Sequence, residues 1–257
     1  MTMGEPAREA SASVLWPVEG VVRVHFEPAA LPQLGDEQGG NRFDDPRPRT
    51  VDRYLMRYAA TTLRGCLLEL LDALRDDPEA SLREAAVDDD APDRVDAPKF
   101  AAWQAVHDFL DGRELATITA DQPAVVSIND PGLQRELDQE AAVRAVLDGE
   151  PARTALLETG GTILHLDNAA VRLSSETGRD ITQACALALF DRDTPPDVIH
   201  YPSRHDDRED CWAIYNHTPV RVGPQTKLSP EVPEHVEALQ SVAAMWGPAA
   251  SLDGVKQ

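Results

Sequence analysis

The stretch RYAATTLRGCLLELL, residues 57–71, changes its periodicity halfway along, and that change decides how the chain folds. From Leu63 onward, Cys66, Leu67, Leu70, Leu71 and Leu74 recur at spacings of three and four. Such spacing puts apolar side chains on one face of an amphipathic helix, with Thr61 or Thr62 as its N-cap. The residues just before it, RYLMRYAA (53–60), are ambiguous by pattern, and a strand leading into the helix is one reading of them. Glu69 falls about 120° round from the centre of the leucine stripe if each residue turns the helix by ~100°. That places it at the edge of the buried face, neither central core nor far surface.

Upstream, GVVRVHFEP (20–28) alternates apolar and polar residues and stops at a proline, the pattern of a short strand. LPQLGDEQGGNRFDDPRPRT (31–50) has no sustained periodicity and reads as a long loop. Within it Arg42 follows a Gly-Gly-Asn, where glycines let the backbone come close to a ligand and the guanidinium can grip a phosphate with two parallel hydrogen bonds. Tyr58, just ahead of the helix, suits either the core or a stacking platform.

Downstream, the reading continues with an acidic, proline-rich surface insertion over about 76–98 and a helix over 100–110 (FAAWQAVHDFL). A strand follows at 124–130 (AVVSIND), then one helix over 132–147 and a short strand over 161–168 (GTILHLDN). A helix from about Asp180 through ITQACALALF precedes two strands, DVIHYPS (197–203) and CWAIYN (211–216). The connection RHDDRED (204–210) reads as a solvated acidic loop, and VPEHVEALQSVAAMW (232–246) as a final helix. Strands and helices alternate without regular βαβ spacing, which predicts an α+β domain.

Composition narrows the function classes. The net charge is −21 and the sequence pI about 4.6, which excludes a sequence-independent grip on a phosphate backbone, so no direct nucleic-acid partner is expected. No apolar run approaches the roughly 20 residues a membrane span needs, and the N-terminus lacks a signal-peptide pattern, so a cytoplasmic protein with no membrane partner is expected. Cys66, Cys185 and Cys211 are odd in number and far apart, which fits buried thiols better than disulfides or a CxxC metal site. Seven dispersed histidines and acidic runs without the EF-hand glycine predict no metal centre. Neither phosphate-binding glycine fingerprint occurs, and YPSRH (201–205) lacks the GxSxG elbow, so Ser203 beside His205 and Asp206 does not make a hydrolase triad.

Four segments in order resemble the RES-domain family, named for its arginine, glutamate and serine. They are NRFDDP (41–46), RYAATTLRGCLLELL with Tyr58 eleven positions before Glu69, LDNAAVRLSSETGRDITQACALALF (166–190), and DVIHYPSRHDDREDCWAIY (197–215). A departure is the DVI at 197–199, where the family carries Asp-Gly-Ile.

The resemblance implies a single domain similar in fold to the ADP-ribosyltransferases, a mixed or antiparallel sheet with flanking helices. Its expected bounds are a tail over 1–17, the RES-like domain over 18–222, and a partly helical extension over 223–257. It implies a toxin that consumes NAD as substrate, with no prosthetic group, and that is neutralised by an Xre-type protein antitoxin. Arg42, Glu69 and Ser203 would be catalytic, with Arg42, Phe43, Tyr58 and Ser203 binding substrate. Arg42 would hold the pyrophosphate, Tyr58 would stack on the nicotinamide, Glu69 would stabilise the charged ribose and Ser203 would orient the substrate. Water or phosphate is the expected acceptor; transfer of ADP-ribose to a protein, or a catalytically silent binding module, are the alternatives.

Overall fold

A computed structural model describes residues 14–26, 40–47, 53–71, 112–158, 165–173, 175–229 and 232–246. Seven strands form one sheet: β1 (Val21–Phe26), β2 (Met56–Ala60), β3 (Arg113–Ala120), β4 (Val125–Ser127), β5 (Val198–Pro202), β6 (Asp210–Tyr215) and β7 (Val220–Lys227). Their order is β4-β5-β6-β2-β1-β3-β7. Every pairing is antiparallel except β4 with β5, which is parallel. A parallel pair needs a long crossover. The chain supplies it with α2 (Pro131–Leu137), α3 (Ala141–Leu147), α4 (Glu150–Glu158), α5 (Asn168–Arg172) and α6 (Glu176–Phe190). The expected α+β class with a mixed sheet and flanking helices is therefore what the chain adopts.

The two sheet faces have different tasks. Met56, Ala60, Ile199, Tyr201, Cys211, Ala213 and Tyr215 point to the main core, shared with α1 (Leu63–Leu70) and α6. Val21, Ala59, Ile118, Val198, Trp212 and Ile214 form a smaller cluster on the other face, where Trp16 meets Trp212 edge-on at 5.3 Å. Also on that face, His200 Nε2 lies 2.7 Å from Asp210 Oδ1 and its Nδ1 lies 3.3 Å from Ser127 Oγ, stitching β4, β5 and β6 together.

Capping sets the helices that frame the site. Thr62 Oγ1 accepts the Gly65 amide at 2.9 Å to start α1, and Ser175 Oγ accepts the Gly178 amide at 3.3 Å to start α6. Gly178 is obligatory, because a Cβ there would sit 1.9 Å from the Leu173 carbonyl oxygen. Tyr215 donates its hydroxyl to the Ala186 carbonyl at 2.7 Å and so ties α6 to the sheet. Beyond the sheet, α7 (Pro233–Trp246) lays Val242 on Leu67, Leu68 and Leu71 of α1.

Several expectations need correction. The helix foreseen over 132–147 is two helices, because Asp138 caps α2 and its carboxylate then accepts the Leu166 amide at 2.8 Å. Strands β3 and β7 and helix α4 were not foreseen. Strand β7 runs through residue 222, so the residues either side of it belong to one element. The insertion at 76–98, the helix at 100–110, the tail up to residue 13 and half of the strand expected at 161–168 lie outside the described residues, and the other half runs into α5, which was likewise not foreseen. His165, Leu166 and Asp167 are described and are not a strand. Among the described residues no helix is long and apolar enough to cross a membrane.

Candidate active site

Three segments far apart in sequence converge on the helix-covered face. Ser203, the residue after β5, donates its hydroxyl to Glu69 Oε1 on α1 at 2.7 Å. The Arg204 amide donates to the same oxygen at 3.3 Å, and the His205 amide donates to Ser203 Oγ at 3.2 Å. Ser203 is fully buried, and its own amide donates to the Glu209 carbonyl at 2.8 Å. The hydroxyl thus gives its proton to the glutamate and takes one from the backbone. A serine arranged this way holds a carboxylate in place.

Arg42 enters from the 41–45 turn. Asp44 Oδ2 accepts from the Asn41 amide at 2.9 Å, and Tyr58 caps the turn from below: its hydroxyl accepts the Phe43 amide at 3.0 Å and donates to Asp44 Oδ1 at 2.8 Å. Gln183 of α6 donates to the Asn41 carbonyl at 2.8 Å. Phe43 is fully buried against Tyr201, with ring centroids 4.9 Å apart, so it anchors the turn in the core. Tyr58, expected as a stacking platform, uses its hydroxyl to shape the turn that presents Arg42.

The Arg42 guanidinium is 8% exposed and lies 5.1 Å from the Tyr201 ring centroid and 5.3 Å from that of Phe43. Its Nη2 donates to the Val171 carbonyl at 2.6 Å, while Nε and Nη1 are buried with no hydrogen-bond partner among the described residues. Burial lowers its pKa, opposed by the Tyr201 hydroxyl and the Glu69 carboxylate and reinforced by the Arg204 charge. A buried donor without an acceptor costs on the order of 1–3 kcal/mol. An anionic ligand that took both free nitrogens would remove that cost, which is the arrangement a diphosphate grip requires.

Two arginines that the sequence reading passed over complete the site. Arg172 of α5 donates through Nη2 to the Ser203 carbonyl at 3.3 Å and makes an ion pair with Asp207. Arg204 follows Ser203 directly and is close enough to Arg42 to shift its titration. Both stood in the quoted motifs, one as the arginine of VRLSSETGRDITQ and the other beside the serine. The Glu69 carboxylate and the Arg204 charge both act on Arg42, whereas Arg172 is already paired with Asp207.

The acidic run after Ser203 is only in part the solvated loop expected: Asp207 and Asp210 have exposed side chains, but two carboxylates turn inward. The Asp206 and Glu209 side chains are 7% and 9% exposed, and both bind Arg64 of α1, at 2.8 and 2.6 Å. Among the described residues, no group of three or more His, Cys, Asp or Glu side chains is placed to hold a metal. The three cysteines are buried, and burial pushes the Cys66 and Cys185 thiols up to about 12.

Comparisons with known proteins add little to this geometry. No family model matches the chain, and no curated protein does. Among solved structures, it is similar to a chain of the M. tuberculosis MbcT-MbcA toxin-antitoxin complex, with a TM-score of 0.43 and 13% identity over 89% of this chain and 91% of that one.

Proposed function

We propose that this chain cleaves the bond between nicotinamide and ribose in NAD, with water or phosphate as acceptor. The observation that carries the reading is the meeting of Arg42, Glu69 and Ser203, three residues of the RES-like pattern, at one place in the fold. Breaking this bond builds positive charge on the ribose, as glycoside cleavage does through its oxocarbenium-like state. A carboxylate beside the ribose lowers that barrier electrostatically. Ser203 and the Arg204 amide fix Glu69 through Oε1, leaving Oε2 to accept a hydrogen bond from a ribose hydroxyl. The two Arg42 nitrogens without a partner among the described residues take the pyrophosphate, and the ring of Tyr58 borders the nicotinamide.

In this reading Ser203 acts through Glu69. Departing nicotinamide carries off the bonding electron pair as a neutral base, so the leaving group needs no proton. The acceptor oxygen closes on the ribose carbon; water then loses a proton to solvent or to Glu69, whereas a phosphate O− has none to lose. A toxin-like role follows from NAD depletion, with a small protein antitoxin of the Xre type as its counterpart.

The test is nicotinamide release from NAD by purified protein, with and without phosphate, alongside lysate probed for labelled ADP-ribose on protein. Release that depends on Glu69 supports the reading, and the product, ADP-ribose or its 1″-phosphate, identifies the acceptor. No release under either condition overturns it, and label on protein without free product moves the assignment to protein ADP-ribosylation.

A further inference from the structure

Arg64 stands one and a half turns before Glu69 on α1 and has no place in the chemistry described so far. Its guanidinium nevertheless reaches two separate elements, the loop after Ser203 and α7. Nη1 donates to Glu209 Oε1 at 2.6 Å, Nη2 lies 2.8 Å from Asp206 Oδ2, and Nε donates to Ser241 Oγ of α7 at 2.7 Å. Nη2 also approaches Met245 Sδ at 2.7 Å. Asp206 and Glu209 belong to the loop that starts at Ser203, and the two residues are tied to each other through the Glu209 amide and the Asp206 carbonyl at 2.9 Å.

A second, independent set of contacts holds the same carboxylate. Thr62, the cap of α1, donates its hydroxyl to Glu209 Oε2 at 2.5 Å while accepting the Gly65 amide. Gly65 is what admits Glu209: a Cβ at that position would lie 2.9 Å from Glu209 Oε2 and 3.0 Å from Ala60 Cβ. A carboxylate at this place also faces the positive end of α1. The Thr61 amide donates to the Asp210 carbonyl at 2.9 Å, so the loop and the helix start together.

We infer that Arg64 is a positioning residue: by bracing the loop 203–209 against α1 it sets the hydrogen bond from Ser203 to Glu69. Both ends of that bond are then fixed to one guanidinium, Glu69 through the rigid helix and Ser203 through the loop that Arg64 grips at two carboxylates. Arg42 sits on the 41–45 turn, which Arg64 does not touch. Disturbing the brace therefore misplaces the carboxylate while leaving the pyrophosphate grip as it is, and the effect falls on kcat and not on KM.

The inference rests on the NAD-cleaving reading for its kinetic arm. R64K keeps a charge but cannot fork across Glu209 and Asp206 while also reaching Ser241. It should lower kcat about tenfold with KM for NAD within about twofold, since small misplacements of a reacting group cost rate steeply. Because a lone Glu209 would be stranded if Arg64 were simply removed, the second variant is R64M/E209M, which takes out both charges together. It should fold and lose at least as much kcat. Either variant with kcat within about twofold of wild type, or with KM rising as far as kcat falls, overturns the brace. If the wild-type chain releases no nicotinamide, the reading of the site has failed, and amide hydrogen exchange decides the brace alone. Exchange over 203–209 should then quicken about tenfold in R64K while that of β2 and α6 stays put, and unchanged exchange refutes it.

Discussion

Arg42 acts on Glu69 through its charge and Arg64 shares α1 with it, and the two arginines are treated in opposite ways. Arg64 spends its donors on Glu209, Asp206 and Ser241, whereas Arg42 keeps two buried nitrogens without an acceptor among the described residues. A side chain that is fully answered by its own protein is part of the framework. One that is desolvated and left partly unanswered is strained unless something else arrives, and such cost is tolerated where a ligand is handled. The pair thus separates what holds the site from what the site is for.

The sharpest way to break this contrast is at Glu69 itself. E69Q keeps the shape and can still accept from Ser203, but removes the charge; NAD turnover should fall about 100- to 1,000-fold with the melting temperature nearly unchanged, as judged by nicotinamide release and thermal unfolding. Retained turnover would mean that the carboxylate is only structural.

Next come the arginines by themselves. R64M strands Glu209 in a site where both side chains are largely covered, so denaturant unfolding should show a loss of roughly 3 kcal/mol. R42M removes a guanidinium that is already poorly satisfied, and should leave stability within about 1 kcal/mol of wild type while NAD binding weakens at least tenfold. Equal stability losses for the two variants would erase the distinction between framework and grip.

A smaller effect is expected from G65A. Its new Cβ pushes on the Glu209 carboxylate and Ala60, an overpacking that costs about 1–3 kcal/mol and should lower kcat in the same sense as R64K. The smallest is a matter of pH. Hydrogen bonds from the Arg208 side chain and amide, and then from Arg64, hold the Asp206 carboxyl well below the usual carboxylate range. A folded-state pKa depressed in this way adds stability above the unfolded value of about 3.9 that is lost as pH falls through the folded one. D206N should therefore flatten the dependence of unfolding on pH below about 4, with little change in its slope near neutrality.

How far the sequence alone could be read depended on how local each signal was. The helix period that starts at Thr61 is written in adjacent residues, and α1 formed where it predicted; β2 is the strand alternative for the ambiguous stretch before it. The hairpin β5–β6 and helices α6 and α7 were legible for the same reason. Strand β7 was hidden because Gly223 and Pro224 interrupt its pattern; an edge strand tolerates both, since half its backbone groups need no partner. Strand β3 was hidden by its small residues: Ala116 and Ile118 are its inward side, and an alanine gives a weak alternation.

At the site, Arg42, Tyr58, Glu69 and Ser203 could be named because they sit in short motifs. Their partners could not. Read locally, HDDRED is a cluster of like charges that must face water; only the fold brings Arg64 across 145 positions to Glu209 and makes burial affordable. Arg172 shows the same limit, since it reaches the Ser203 carbonyl and the Asp207 carboxylate from 31 and more positions away.

The packing of α7 on α1 also has a consequence in time. Arg64 and Ser241 are 177 positions apart, so a ribosome adding about 5–20 residues per second needs roughly 10–35 s to make the second after the first. Throughout that interval the helix bearing Glu69 has its leucine ridge at Leu67, Leu68 and Leu71 uncovered by Val242, and one arm of its brace has nothing to hold. The brace on α1 is complete only after α7 leaves the exit tunnel and docks.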